Sequence, residues 1–249
     1  MIRLNKNKNI GSVIYIVEGA KTEQYIIKRI FNELLGYDLI QVSTNSNIKR
    51  FRSKSNKYSR ITVITSKHPQ IVSLEKYEDY FDVLYQKLAI DYGLDVENSA
   101  IYYIFDRDRQ SNPIGVIKNM IKKYSNAYDN GNEMNGILLL SYPSIESYYL
   151  NGYHRNINFQ YAKDAKRYIR KYHYDIIDEK IIKDSCKRMI EILLKKFNIR
   201  FNIDMVEDFK KTNEDILNFE ENYYFSNKEY ITLSSLSISL LDLGILEIR

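Results

Sequence analysis

Acidic side chains follow three apolar segments of the sequence, close to where each segment ends. The apolar runs and the acids beyond them are Val13–Val17 with Glu18 and Glu23, Ala100–Phe105 with Asp106 and Asp108, and Gly136–Leu140 with Glu146. Continuous apolar runs of this length are typical of strands buried on both faces of a parallel sheet. If the three strands are parallel neighbours, the five carboxylates meet at their carboxyl ends, where the functional crevice of an open α/β sheet lies.

Five carboxylates at one edge would repel one another unless a cation lay among them. Oxygen ligands in this number suit Mg²⁺ or Mn²⁺. Asp106 and Asp108 are two residues apart, so both can face one ion if the strand continues that far. The chain has only three scattered histidines, which disfavours a zinc or iron site. We therefore predict a metal site with the ligands Glu18, Glu23, Asp106, Asp108 and Glu146.

Each acid also has a purely structural interpretation. Glu18 and Glu23 lie near the start of a predicted helix, where a carboxylate is favoured. Residues 106–109 read Asp-Arg-Asp-Arg, which could form a self-paired charged loop. Glu146 could be an ordinary acid in the first turn of a helix. The joint arrangement, rather than any single residue, favours a site.

Basic residues suggest a polyanionic partner. Residues 1–60 contain 12 Lys and Arg against 4 Asp and Glu, a net charge of 12 − 4 = +8, whereas the whole chain carries +5. The segment Lys49–Lys57 shows no periodicity and is predicted to be a flexible loop that contacts a nucleic-acid backbone; a solvated surface is the alternative. The cations beside the acids could clamp phosphates or simply neutralise the acidic edge. The predicted nucleic-acid-binding residues are Lys21, Lys49, Arg50, Arg52, Arg107 and Arg109.

The elements that must position these residues alternate between strand and helix through about residue 150. Besides the three apolar strands, the predicted elements are a helix capped by Thr22 and ended by Gly36, strands at Asp38–Ser43 and Arg60–Thr65, and helices at about Ile71–Ile90, near Val116–Tyr128 and from about Ile145. The alternation predicts an α/β domain over residues 1–151, with a largely parallel open sheet and helices on both faces.

Residues 152–249 are predicted to form a C-terminal helical annex. Its predicted helices are Ala162–Lys171, Glu179–Phe197 and Ile203–Phe219. It ends in the apolar run Leu233–Leu241. This run is expected to pack against the annex's own helices; the alternative is a surface that docks a partner or a second copy of the chain.

Composition excludes several classes of protein. Hydrophobic residues make up 44% of the 249 residues, enough for a core. No apolar run approaches the roughly 18–20 residues that span a bilayer, and the basic N-terminus lacks the apolar stretch of a signal peptide. The single cysteine, Cys186, cannot form an internal disulfide. These features predict a cytoplasmic protein that does not bind membranes.

Three segments resemble those of TOPRIM domains in the RloB-like and OLD-like branches. They are Glu18-Gly19-Ala20-Lys21-Thr22-Glu23, Phe105-Asp106-Arg107-Asp108, and Ser141-Tyr142-Pro143-Ser144-Ile145-Glu146 with the residues to Leu150. The resemblance covers residues 12–150 and implies a TOPRIM-like fold. It also implies a metal-dependent nucleic-acid enzyme in which Glu18 is an acid/base or metal ligand, and Asp106 and Asp108 hold Mg²⁺ or Mn²⁺.

The resemblance further implies a role in bacterial antiphage defence, beside an ABC-type ATPase. The chain has no Gly-x-x-x-x-Gly-Lys-Ser/Thr motif, so the ATPase would be a separate partner. We therefore expect an endonuclease that acts in abortive infection on DNA or RNA, with Glu18, Asp106 and Asp108 as catalytic residues. The alternative is a non-catalytic binding or regulatory subunit of the ATPase complex. Topoisomerase activity is disfavoured because about 100 further residues cannot hold a second DNA-gate domain.

Overall fold

A mixed sheet forms the centre of the computed structural model, which describes residues 1–19, 21–43, 48–65, 87–91, 93–107, 109, 113–128, 136–206 and 209–249. The strands within these ranges are β1 (Ile2–Leu4), β2 (Ser12–Val17), β3 (Tyr37–Ser43), β4 (Ile48–Ser53), β5 (Arg60–Thr65), β6 (Ser99–Asp106), β7 (Ser125–Asn126), β8 (Gly136–Tyr142), β9 (Leu233–Ser234) and β10 (Leu246–Ile248). The sheet order is β3-β4-β5-β2-β6-β8-β7, and β9 also pairs with β8. β1 and β10 form a separate antiparallel pair.

The four central strands, β5, β2, β6 and β8, run parallel, whereas the outer pairings are antiparallel. Val17 at the end of β2 aligns with Ile104 of β6, and Asp106 at the end of β6 aligns with Ser141 of β8. The carboxyl ends of β2, β6 and β8 therefore lie side by side at one edge. This arrangement confirms the three predicted buried strands and their order as parallel neighbours.

Burial explains why these strands are continuous apolar runs. Every residue of β6 and β8 is buried, as are Val13–Val17 of β2. Successive side chains of a strand point to opposite faces, so uninterrupted burial means that both faces of the sheet are covered. The predicted α/β class is confirmed: the central sheet is mostly parallel and flanked by helices.

Seven α-helices are found within the described residues. They are α1 (Thr22–Lys28), α2 (Ile114–Lys123), α3 (Ser147–Gly152), α4 (Ala162–Tyr172), α5 (Glu179–Phe197), α6 (Lys210–Asn227) and α7 (Leu236–Asp242). α1 continues as a π-helical segment, Arg29–Leu34, and Gly36 then adopts the left-handed conformation with φ of +70°. This matches the predicted end of the first helix, because glycine adopts positive φ without a Cβ penalty.

Several predicted helices differ from the observed ones. α2 ends at Lys123, not near Tyr128, because Tyr124 leaves the helical conformation and buries its ring 4.8 Å from that of Tyr103. Ser125–Asn126 then pairs with β8 as β7. The predicted helix Ile203–Phe219 is a short 3₁₀ turn, Ile203–Val206, followed by α6. Most of the predicted helix Ile71–Ile90 lies outside the described residues.

The prediction of a loop over Lys49–Lys57 is wrong for the first part of this segment, whereas Lys54–Lys57 lies in the turn between β4 and β5. The first part belongs to β4, which pairs with β3 on one side and β5 on the other. Ile48 and Phe51 are buried, and their spacing of three residues hides the strand because it breaks strict alternation. Pairing on both sides, rather than local sequence, forms this strand.

The C-terminal region supplies strands as well as helices. β9 pairs with β8, and β10 pairs with β1 from the other end of the chain. Helices α3 and α5 approach so closely that a Cβ on Gly152 would lie 2.6 Å from Ile181 Cγ2. The division of the chain at residue 151 stays a prediction.

The apolar run Leu233–Leu241 is completely buried within β9 and α7. The run is buried as expected, but it packs on the central sheet as well as on the C-terminal helices: β9 pairs with β8, and Ser239 of α7 accepts a hydrogen bond of 3.2 Å from the Tyr15 hydroxyl of β2. The alternative of an exposed docking surface is wrong. Its serines are buried too; Ser234 and Ser141 share a hydrogen bond of 2.9 Å between their hydroxyls. Across the described ranges, no helix has the length and apolar character needed to cross a bilayer.

Candidate functional site

Four of the five predicted acidic residues come together at the carboxyl edge of the parallel strands. Glu18 directly follows β2, Glu23 lies in the first turn of α1, Asp106 ends β6, and Glu146 immediately precedes α3. The fifth, Asp108, lies outside the described residues. β6 ends at Asp106, so the condition that the strand continues to residue 108 is not met.

Hydrogen bonds accepted by the carboxylates of Glu18 and Asp106 join the ends of the three strands. The Glu18 carboxylate accepts a hydrogen bond of 2.8 Å from the Asp106 backbone N–H. Asp106 Oδ1 in turn accepts one of 2.7 Å from the backbone N–H of Ile145, in the turn after β8. Both side chains are thereby held at the edge of the sheet. Glu18 is half-buried and Asp106 is buried.

Glu23 and Glu146 complete the cluster from the helix starts. Glu23 accepts a hydrogen bond of 3.0 Å from the Gly19 backbone N–H, and a Cβ at Gly19 would lie 2.6 Å from Glu23 Oε2. Thr22 was predicted to cap α1, but its hydroxyl donates to Glu146 Oε1 at 3.1 Å and makes no cap hydrogen bond. Gly19 and Thr22 therefore donate hydrogen bonds to the carboxylates of Glu23 and Glu146.

Crowding of these acids alters their protonation. Burial is the largest cause that raises the pKa of Asp106 well above its ordinary value, and repulsion from Glu18 and the other two glutamates adds to it. The pKa of Glu23 is also raised, mainly by burial and further by the charge of Glu146. Burial and mutual repulsion therefore destabilise the ionised form of these carboxylates. A bound cation would relieve this, so the cluster favours binding of a cation.

Lys166 of α4 also lies near these acids, and the sequence analysis does not predict it as a site residue. Its Nζ lies 3.7 Å from Asp106 Oδ2. Burial lowers the pKa of Lys166, but the attraction of the four carboxylates outweighs this and raises it above its ordinary value. If all five groups are ionised, the cluster carries 1 − 4 = −3 charges. No local motif marks this lysine, because only the packing of α4 brings it to the site.

A cavity of about 380 Å³ is linked to the carboxylates through Lys166, which lines the cavity and contacts Asp106, whereas none of the four carboxylates lines the cavity itself. Its lining combines cations with aromatic rings, and includes Arg107, Arg109, Tyr161, Lys163, Lys166 and Tyr224. Arg109 has a side chain 44% exposed and lies 4.8 Å over the ring of Tyr224. The C-terminal region therefore forms much of the wall beside the predicted site.

Arg107, by contrast, is committed to an internal ion pair. It is only 1% exposed, and its Nε and Nη2 atoms lie 2.8 and 2.7 Å from Glu221 Oε1 on α6. The acid that it neutralises belongs to α6 and not to the acidic edge of the sheet, and the predicted contact of Arg107 with a phosphate stays a prediction. Lys21 is exposed at the start of α1.

The cations of β4 lie apart from this site. β5 separates β4 from β2, and β4 runs antiparallel to β5. Arg52 pairs with Arg60 at the amino end of β5, which is the edge of the sheet opposite the carboxylates. Lys49 and Arg50 lie nearer the carboxyl end and are half-buried. Their predicted contact with nucleic acid stays a prediction, and one that the position of the strand does not favour.

Glu220, next to Glu221 on α6, is a buried acid outside the cluster. Its Oε2 accepts a hydrogen bond of 3.0 Å from the Ile231 backbone N–H, whereas Oε1 has no hydrogen-bond partner among the described residues. Burial raises its pKa well above 4.5, and the charge of Glu221 raises it further. The native state therefore binds a proton at this position that the unfolded chain releases at lower pH.

Glu220→Gln should stabilise the protein, and increasingly so as pH rises from 5 to 8. A raised carboxyl pKa means that the native state binds more protons than the unfolded state, so wild-type stability falls as pH rises through this range. Glutamine mimics the protonated acid and removes that loss, which amounts to at most about 1.4 kcal/mol per pH unit. Urea denaturation at several pH values measures it. Parallel curves for the variant and the wild type would contradict the prediction.

The chemistry of the four carboxylates suits a metal ion, whereas their spacing in this structure does not. The donors fit Mg²⁺ or Mn²⁺, because they are clustered carboxylates and the buried Glu146 Oε2 has no hydrogen-bond partner within the described chain. However, no three Asp, Glu, His or Cys side chains in the described ranges are grouped closely enough to hold an ion as they stand. Lys166 instead places its ammonium beside Asp106.

Comparison with protein-family models, with curated proteins and with solved structures finds no match to this chain. The resemblance to TOPRIM nucleases therefore rests on the three sequence segments alone.

Proposed function

We propose that this protein is a Mg²⁺- or Mn²⁺-dependent nuclease that hydrolyses phosphodiester bonds. The observation that carries the proposal is the convergence of four carboxylates on the ends of three parallel strands, with Lys166 linking them to a cavity lined with cations. Acidic ligands for a metal ion and basic groups for a phosphate are the two components that metal-assisted phosphodiester hydrolysis requires. TOPRIM-like motifs at the same strand ends support the same chemistry.

The four carboxylates would hold the ion: Glu18, Glu23, Asp106 and Glu146. A bound ion would stabilise charge on the phosphoryl oxygens and lower the pKa of a bound water. Hydrogen bonds from backbone N–H groups fix one oxygen each of Glu18, Glu23 and Asp106, and the side chains would have to move closer together to hold an ion. Asp108 is also proposed as a ligand and catalytic residue, because it belongs to the Asp-x-Asp motif.

Cations of the cavity would orient the substrate. Arg109 and Lys163 are exposed, and both line the cavity that Lys166 links to the cluster. They would hold a phosphate against the carboxylates without being consumed in the reaction. Lys166 would then exchange its contact with Asp106 for one with the phosphate.

The biological setting is a further proposal that rests on the motifs alone. In this setting the protein is a cytoplasmic effector of abortive infection, and it works with a separately encoded ABC-type ATPase. Co-expression of the two proteins followed by affinity purification tests the partnership, and analytical ultracentrifugation tests self-association. The buried run Leu233–Leu241 is not the docking surface, so we expect another face to serve.

The ion pair between Lys166 and Asp106 favours a second candidate, a non-catalytic subunit. In that case the lysine would serve as the permanent counter-ion of the cluster, and the cavity would bind nucleic acid without cleaving it. The two candidates differ in whether a divalent ion binds, because a lysine held permanently beside Asp106 would compete with Mn²⁺ for that carboxylate.

Purified protein incubated with single-stranded and duplex DNA and RNA, with Mn²⁺, with Mg²⁺ and with EDTA, tests the proposal. Calorimetric titration with Mn²⁺ should accompany it. We expect Mn²⁺ to bind and cleavage to depend on it. Binding of nucleic acid with neither Mn²⁺ affinity nor cleavage would favour the non-catalytic subunit.

A further inference from the structure

We propose that the cavity that Lys166 links to the carboxylates binds a segment of single-stranded nucleic acid, with the phosphate on Arg109 and Lys163 and an unpaired base against Tyr161. The proposal rests on the proposed nuclease function and adds to it the class of substrate and the residues that select it. It assigns this role to the C-terminal region, which the TOPRIM-like motifs do not cover.

The electrostatic case begins with the cations around the cavity. Arg109, Lys163 and Lys166 line it, and the side chains of Arg109 and Lys166 remain 44% and 42% exposed. Arg109 lies 3.5 Å from Glu221, but Arg107 already holds that carboxylate at 2.7 Å. Glu221 is therefore shared between two arginines, and Lys163 adds an exposed cation to the same wall. A phosphate diester is an anion that this wall can bind.

Helix α4 extends the positive charge away from the cavity. Its N-terminal residues Ala162 and Lys163 line the cavity. Along its exposed side follow Arg167, Arg170 and Lys171. The helix contains five basic residues against the single acid Asp164. An extended polyanion entering the cavity would therefore meet cations over several of its phosphates.

Aromatic rings distinguish this cavity from a simple phosphate site. Tyr161 and Tyr224 are half-buried in its wall, and each has a cation over its ring, Lys163 Nζ at 5.0 Å and Arg109 at 4.8 Å. Cations next to aromatic rings are the combination with which proteins bind single strands, because a base stacks on a ring while the neighbouring phosphate meets the cation. In a duplex the bases are already stacked on one another and cannot reach such a ring.

The first test measures binding in EDTA, so that its result does not depend on cleavage. Fluorescence anisotropy with labelled single-stranded DNA, single-stranded RNA and duplex DNA of equal length should give tighter binding to the single strands. Comparison of the affinities for single-stranded DNA and single-stranded RNA identifies which of the two sugars the protein prefers. In a salt titration, the logarithm of the binding constant falls linearly with the logarithm of the salt concentration. The steepness of this line should fall by roughly 0.7 in Arg109→Ala and in Lys163→Ala, because each variant loses one phosphate contact.

The second test separates stacking from charge. Tyr161→Ala should weaken single-strand binding roughly 5- to 150-fold, the effect of losing one stacked base, whereas Tyr161→Phe should bind like the wild type. Matched controls lie elsewhere: Lys195→Ala on the exposed side of α5, and Tyr58→Ala in the turn before β5, where the ring is 66% exposed. Neither should change affinity or salt slope.

Failure of this inference and failure of the proposed nuclease function give different results. If the protein cleaves nucleic acid with Mn²⁺ but Arg109→Ala, Lys163→Ala and Tyr161→Ala bind single strands like the wild type, the cavity assignment is wrong. Tighter binding to the duplex would overturn it as well. If the three variants lose binding as expected while the wild type never cleaves, the cavity assignment stands and the nuclease proposal falls.

Discussion

Replacement of Asp106 by asparagine should abolish metal-dependent cleavage and leave the metal-free protein folded and more stable than the wild type. Asp106 lies between Glu18 and Glu146 at the edge of the sheet, and burial, followed by repulsion from Glu18, Glu23 and Glu146, raises its pKa. Asparagine keeps the acceptor for the Ile145 backbone N–H but removes the charge, so the repulsion is relieved. Loss of activity should exceed the roughly 10- to 100-fold typical of outer residues around a metal.

Three measurements check this prediction on the same preparation: the cleavage rate with Mn²⁺, the affinity for Mn²⁺ and the melting temperature in EDTA. Glu18→Gln should behave in the same way. Milder losses are expected for Glu23→Ala and Glu146→Ala if they act at a second ion or in the outer shell. Asp38→Asn, with a side chain 59% exposed on β3, is the matched control and should change none of the three values. Full activity in Asp106→Asn would overturn the site assignment.

Residues whose position in the fold the sequence predicted correctly share one property, which is that local pattern determines that position. Continuous apolar runs mark the buried strands β2, β6 and β8, and an acid at the end of a parallel strand can lie only at the carboxyl edge of the sheet. Glu18 and Asp106 follow directly from this rule. The neighbouring order of the strands is what turns separate acids into one cluster.

Residues that the sequence did not identify depend on contacts between distant segments. Lys166 reaches Asp106 across 60 positions of sequence, and Glu221 reaches Arg107 across more than 100. Each lies on a helix whose pattern reveals which face is buried but not what that face meets. β4 was missed for a related reason, because its cations obscure a strand that pairing with β3 and β5 creates.

The largest effect on stability is expected for Glu221→Ala, which should lower the free energy of unfolding by roughly 3–5 kcal/mol. Glu221 holds the buried Arg107 guanidinium at 2.7 and 2.8 Å and accepts a hydrogen bond of 3.3 Å from the Tyr230 hydroxyl. Arg107 follows β6, and its backbone N–H is already committed to Ser141 at 2.8 Å. The arginine therefore cannot easily move its charge to solvent once Glu221 is truncated.

Chemical denaturation of three variants separates the cost of removing one partner from the value of the ion pair itself. Asp215→Ala on the exposed side of the same helix, α6, is the matched control and should stay within about 0.5 kcal/mol of the wild type. In the double variant Arg107→Met/Glu221→Met, no charge is left buried, so most of the lost stability should return. A change below about 1 kcal/mol in Glu221→Ala would mean that Arg107 finds another partner or water. In that case the ion pair would not be what joins α6 to the edge of the sheet that carries the carboxylates.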